Sequence, residues 1–120
     1  MLRTGVDLIE VARVEEAVER YGERFLNRVF LEAEWKPKQG RFPELAARFA
    51  AKEAVSKVLG TGIGDVLWTD IEIVQDERGM PGVKLHGAAA AIAGELGLTE
   101  WSLSLTHTRE HAIAFVVALG

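Results

Sequence analysis

The sequence predicts an α+β fold, a small antiparallel sheet packed with helices. Three patterns carry it. A long helical stretch with Pro43 and Glu44 in its first turn runs to about residue 60 and ends in Gly60-Thr61-Gly62-Ile63-Gly64. Two segments alternate apolar with polar residues, Ile71 and Ile73 in one, Trp101, Leu103 and Leu105 in the other. Ala112 to Leu119 is an almost unbroken apolar run of strand length, as expected of a central strand covered on both faces.

Taken in order, residues 2–9 read as a short strand in which Gly5 and Asp7 are the odd members. Asp7 either caps the next helix or is a carboxylate presented at a strand end. Residues 10–21 form an amphipathic helix with Val11, Val14, Val18 and Tyr21 on one side, and Gly22 ends it. A second helix is expected over 23–34, with Phe25, Leu26, Val29 and Phe30 as its apolar side. Arg13, Arg20, Arg24 and Arg28 offer a basic surface to an acidic partner, or pair with the interleaved Glu15, Glu16, Glu19 and Glu23. Residues 36–43 carry two prolines, a glycine and three cations and read as a loop. After the long helix come a hairpin over 70–86, turning at 76–82, and an alanine-rich helix over 87–97. A second hairpin follows, with strands 101–106 and 112–119 and a turn at Thr108-Arg109-Glu110.

Composition removes several classes of function. The chain has 120 residues, enough for one domain, 1–120, with a real core. A net charge of −4 argues against wholesale nucleic-acid binding. There is no cysteine, which excludes disulfides, thiolate metal sites and cysteine nucleophiles. The three histidines have no zinc-like spacing. Charge begins at Arg3 and Asp7 breaks the first apolar run, so no signal peptide is expected. The apolar runs are too short for a membrane span, and the expected compartment is the cytoplasm.

Candidate chemistry centres on the long helix. Phe49, Glu53, Ser56, Lys57 and Gly60 recur at helical spacing and share one face. Alone, Glu53 and Lys57 read equally as a solvated i, i+4 ion pair worth ~0.3–0.5 kcal/mol. The glycine loop lacks the Gly-Lys-Ser/Thr of a P-loop. Asp7, Glu53 and His107, however, are polar outliers in three otherwise apolar elements. Two carboxylates from separate elements suit magnesium, which keeps waters and completes its shell with phosphate oxygens. His107, following a serine-lined strand, either bonds a phosphate or is a satisfied structural residue. No nucleophile–base triad is present. Positioning plus charge neutralisation is what phosphoryl transfer needs.

At these residues the chain resembles the holo-acyl-carrier-protein synthases, the small bacterial 4′-phosphopantetheinyl transferases. The match spans nearly the whole chain: Gly5-Val6-Asp7, Arg48-Phe49-Ala50-Ala51-Lys52-Glu53-Ala54 with Lys57, Gly60-Thr61-Gly62-Ile63-Gly64, and Ser102-Leu103-Ser104-Leu105-Thr106-His107-Thr108, in order and rough spacing. The resemblance implies the 4′-phosphopantetheinyl transferase-like fold. It also implies transfer of phosphopantetheine from coenzyme A to a serine of apo acyl carrier protein, supporting fatty acid biosynthesis and releasing adenosine 3′,5′-bisphosphate. By the same resemblance Asp7 and Glu53 are the magnesium ligands and Lys57 reaches the coenzyme A diphosphate. Arg48, His107 and Thr108 contact its phosphates, and Gly60 and Gly62 line the nucleotide site. Arg13 docks the acidic carrier, and the assembly is a homotrimer with active sites shared between subunits. Met80 stands where the family often has a basic or other residue, which counts against a cationic role at that position, and Thr106 where serine is more usual. Two rivals remain at this point: a carrier-protein or nucleotide-binding module without turnover, against which the paired carboxylates count, and a transferase for secondary-metabolism carriers, whose chains are typically twice this length.

Overall fold

The long helix, α4 (Phe42–Leu59), organises the structure, a computed structural model that describes residues 1–120. Pro43 sits in its first turn, where the missing N–H is no loss, and Gly60 ends it with φ 78°, a left-handed conformation. The Ser56 carbonyl receives the N–H groups of Gly60, Thr61 and Gly62. Buried residues lie around most of α4, as expected of a helix enclosed by the protein.

One side of α4 lies on a three-stranded antiparallel sheet made of β1 (Leu2–Glu10), β5 (His111–Leu119) and β4 (Glu100–His107), in the order β1-β5-β4. The terminal apolar strand is therefore central, as the sequence predicts. Its inner face is Ala112, Ala114, Val116 and Ala118, all buried. The helix carries Ala46, Ala47, Ala50, Ala51 and Ala54, also buried, and Ala54 lies directly against Gly5 of β1. This thin alanine layer brings backbone close to backbone. At Gly5 the approach is closest: a Cβ there would lie 2.1 Å from the Ala54 carbonyl oxygen. Gly5 thus lets β1 abut the helix.

The sheet's other face is not covered by this chain. Leu2, Val6 and Leu8 of β1 and Phe115 and Leu119 of β5 alternate with the buried residues and are exposed, Leu2 and Leu8 by more than 60%. The expectation that β5 is covered on both faces holds, within one chain, for one face only.

Helices α1 (Val11–Tyr21), α2 (Glu23–Val29) and the single turn α3 (Glu32–Trp35) lead from β1 to α4. The sequence pattern predicts one helix over 23–34; the structure breaks it at Phe30 and Leu31, which are extended. Phe30 turns into the core, and the Glu34 carboxylate accepts the Leu31 N–H at 2.8 Å, restarting the helix one turn later. Residues 36–38 form a 3₁₀ turn rather than an open loop, and Phe42 already belongs to α4. Beyond the glycine loop a second 3₁₀ turn, 68–70, precedes the hairpin of β2 (Ile71–Gln75) and β3 (Pro81–Leu85), followed by α5 (Gly87–Leu96).

A buried ion pair braces α4 on the side away from the carboxylate of β1. The Lys52 ammonium is fully enclosed and donates to Glu34 Oε1 at 2.9 Å, to the Trp68 carbonyl at 3.2 Å and to the Ile71 carbonyl. Glu34 Oε2 receives the Ile73 N–H at 3.0 Å. Burial pulls the Lys52 ammonium below its ordinary pKa, and the Glu34 charge opposes that shift. Every polar atom of the pair is used, which is the condition for such a pair to be tolerated in a core.

Replacing Gly5 by alanine forces β1 and α4 apart. The expected loss of stability is about 1–3 kcal/mol, the usual range for overpacking. Thermal unfolding measures it, and an unchanged Tm would show that the helix shifts freely away from the strand.

Candidate active site

The inner face of β1 places Asp7 two residues beyond Gly5, hence on the same side and beside α4. It lies within the strand rather than at its end, and it does not cap α1, whose N-cap is Glu10. Lys57 reaches across from α4. Its ammonium donates to Asp7 Oδ1 at 3.1 Å and to the Val6 carbonyl at 2.8 Å. The i, i+4 pair between Glu53 and Lys57 does not form; the lysine is committed to the strand. Glu53 stands one turn earlier on the same helix face. Burial raises its pKa, the Asp7 charge adds to that, and Lys57 opposes it. Two carboxylates and one ammonium, which Asp7 holds, leave excess negative charge at this edge of the sheet. A small hard cation fits that donor set, with Asp7 and Glu53 supplying oxygens and leaving most of the coordination shell to waters or phosphates.

The glycine loop adjoins Lys57. Gly60, Gly62 and Gly64 have φ of 78°, 71° and 131°, so each occupies backbone space that side chains rarely enter. The Thr61 hydroxyl in this loop is buried without a hydrogen-bond partner. Phe49, one turn before Glu53, stacks between Phe25 and Trp68 with ring centroids 6.4 and 4.6 Å away.

Arg48 and His107 lie elsewhere. They line a cavity of about 650 Å³ together with Lys38, Glu44, Arg78, Ser102 and Ser104. Arg48 is 5% exposed, and its one hydrogen bond is a long one, 3.5 Å to the Glu44 carbonyl. Burial lowers its pKa against the pull of Glu44 and Glu34. A guanidinium with most of its donors unspent at the wall of a cationic cavity is suited to an anion. None of Asp7, Glu53, Lys57, Gly60 or Gly62 borders this cavity. Topology keeps the two groups apart: Asp7 is on one edge strand, His107 on the other, with β5 between. Arg48 and Glu53, five residues apart, point about 140° from each other around α4.

Thr108 has a local role: its hydroxyl accepts the N–H groups of Glu110 and His111 in the β4–β5 turn. Arg13 and Arg20 lie with Glu16 and Glu19 along a shallow crevice on α1, and none of the four α1–α2 arginines forms an ion pair with the interleaved glutamates. Lys38 and Arg78 join the cationic cavity although sequence reading marks them only as loop and turn cations. Nothing in their spacing connects them; tertiary contact does.

The 4′-phosphopantetheinyl transferase superfamily model matches residues 3–116. The chain is 50% identical to the holo-[acyl-carrier-protein] synthase of Herpetosiphon aurantiacus, with both chains covered in full. It belongs to the holo-[acyl-carrier-protein] synthase family. Among solved structures it resembles the Helicobacter pylori holo-[acyl-carrier-protein] synthase in complex with coenzyme A, with a TM-score of 0.87 and 31% identity over 97% of this chain and 99% of that one. The Bacillus anthracis synthase in complex with coenzyme A (3′,5′-ADP) gives a TM-score of 0.78 and 35% identity, covering 97% and 94%. No helix of this family member is long and apolar enough to cross a membrane.

The raised pKa of Glu53 has a stability consequence. As pH rises from the ordinary carboxylate value towards the raised one, the folded state holds a proton that the unfolded state has lost, so stability falls over that window. Glu53→Gln, measured without divalent ions, is expected to raise Tm at neutral pH and to lose that advantage near pH 4. A Glu53→Gln protein with the wild-type Tm at both pH settings would show that neither burial nor the Asp7 charge penalises the Glu53 carboxylate.

Proposed function

We propose that this chain transfers 4′-phosphopantetheine from coenzyme A to a serine of an apo acyl carrier protein, in support of fatty acid biosynthesis in the cytoplasm. The observation that carries the reading is the Asp7–Glu53 carboxylate pair with Lys57 across it. The names of the similar proteins and their coenzyme A complexes support the substrate. In the reaction the serine hydroxyl gives its proton to Asp7, to Glu53 or to a water beside them as its oxygen forms a bond to the phosphorus that bears pantetheine. The bond from that phosphorus to the bridging oxygen breaks, and adenosine 3′,5′-bisphosphate leaves with the electron pair. Magnesium, held by Asp7 and Glu53, would neutralise charge on the diphosphate. Lys57, fixed by the Val6 carbonyl, presents an ammonium to the leaving phosphate side. Arg48 and His107 hold phosphates in the second cavity, and Arg13 steers the acidic carrier on the exposed face of α1.

The two half-sites lie on opposite edges of one sheet, so the same coenzyme A is best held between chains. The exposed apolar face of Leu2, Val6, Leu8, Phe115 and Leu119 supplies the adhesive surface for a closed homotrimer. In that ring the carboxylate edge of each subunit meets the Arg48–His107 edge of the next, with the Gly60–Gly62 loop and Thr108 turn at the seam.

Two experiments test this. An apo carrier incubated with this protein, coenzyme A and magnesium gains the mass of one phosphopantetheine. Asp7→Ala and Glu53→Ala each lower that rate at least about a hundredfold, the order a preorganised charge-stabilising group contributes. An unchanged carrier mass overturns the reading. For the shared site, Glu53→Ala and Arg48→Ala subunits, each weak alone, regain activity when mixed and reassembled, because about a quarter of the boundaries in a random ring pair two intact edges. Absence of any recovery in mixed trimers overturns the shared site.

A further inference from the structure

The cationic cavity contains a negative charge of its own. Glu44, in the first turn of α4, lines it together with Lys38 and Arg48. Its Oε2 lies 3.0 Å from Lys38 Nζ and 3.7 Å from Arg41 Nη1, and its main-chain carbonyl takes the long contact from Arg48. That oxygen is buried yet accepts no well-directed hydrogen bond, so the lysine is held by charge rather than by geometry. We propose that Glu44 is the built-in counter-anion of this cavity and sets its affinity for nucleotide phosphates by competing with them for Lys38 and by offsetting the charge of Arg48, a role that rests on the cavity's being the phosphate half of the coenzyme A site.

The physical case is a competition between anions. A phosphate brings more oxygens and more charge than a carboxylate, so it displaces Glu44 from Lys38 or shares the lysine with it. Either way the like charges face each other in a partly dry site, and part of the attraction from the cations is lost. The same loss applies to coenzyme A and to the adenosine 3′,5′-bisphosphate left behind. A carboxylate here therefore weakens product retention as well as substrate binding. Glu44 remains charged throughout the neutral range: burial raises its pKa, but the close Lys38 ammonium and the charges of Arg41 and Arg48 outweigh it and hold it low. With Glu44 neutral, Lys38 and Arg48 would face the phosphate alone.

Titration calorimetry of the intact protein with adenosine 3′,5′-bisphosphate tests this, using wild type, Glu44→Gln, Glu44→Asp and Arg48→Gln. Glu44→Gln keeps the shape and removes the charge. It is expected to bind about tenfold more tightly, equivalent to 1.4 kcal/mol, with the gain shrinking at high salt. Product inhibition of turnover should strengthen in parallel, while Glu44→Asp stays near wild type. Arg48→Gln should bind more weakly. Unchanged or weaker binding by a folded Glu44→Gln protein, with Arg48→Gln impaired, overturns the counter-anion role and leaves the phosphate cavity standing. Unchanged binding by Arg48→Gln overturns the phosphate assignment itself, and the role of Glu44 with it.

Discussion

The close approach of β1 to α4 at Gly5 is the constraint on which the site depends. A strand and a helix normally meet through side chains, with their backbones about 10 Å apart for sheet-like layers. Here the only thing between the Gly5 backbone and the Ala54 carbonyl is the missing side chain. Asp7, two residues further on, therefore meets α4 at the level of Lys57. A wider gap would separate the strand carboxylate from the helix carboxylate and leave Lys57 short of Asp7 and of the Val6 carbonyl. The bracing on the far side of α4 works to the same end. Lys52 is the residue before Glu53, and its three acceptors come from α3, the 3₁₀ turn at Trp68 and the start of β2. Glu53 thus projects from a helix held on two sides.

The charge distribution carries the functional information. Neighbouring carboxylates at one edge and converging cations at the other are each unfavourable alone, and both occur in a chain whose core is otherwise apolar. Surface ion pairs rarely reveal function because they are worth so little. Groups held against like charge, or left with unspent donors while buried, are more informative, since stability alone gives no reason to keep them. On the proposed reading, one polyphosphate ligand with a divalent ion at one end would relieve both edges together.

Much of the fold was legible because its signals are local. The period-two alternation of Trp101, Leu103 and Leu105 and the apolar run after Ala112 depend on neighbours in sequence, and both became strands of the main sheet. The glycine at 60 and the proline at 43 marked the ends of α4 for reasons internal to the chain. The break at Phe30 was not legible, because a helical pattern continues through it and only the tertiary demand for Phe30 in the core and for Glu34 beside Lys52 ends it. Asp7, Glu53 and Lys57 were found as a group. The choice of Lys57 for Asp7 over Glu53 was hidden, since an i, i+4 spacing is visible in sequence and a contact fifty residues away is not. Lys38, Glu44 and Arg78 were missed as cavity residues for the same reason.

The alanine layer between α4 and the sheet has a consequence for motion. Alanine has no χ angle, so the alanines of this layer lose almost no side-chain entropy on folding and have no rotamers through which to relax. A core of leucines can absorb a small displacement by repacking; this one transmits it. Helix and strand then move together, and the spacing of the two backbones that carry the carboxylates is set by main-chain contact. Tolerance for sequence drift in this layer is correspondingly narrow, because any larger residue at Ala50, Ala54 or Ala114 acts as a shim that changes the gap directly.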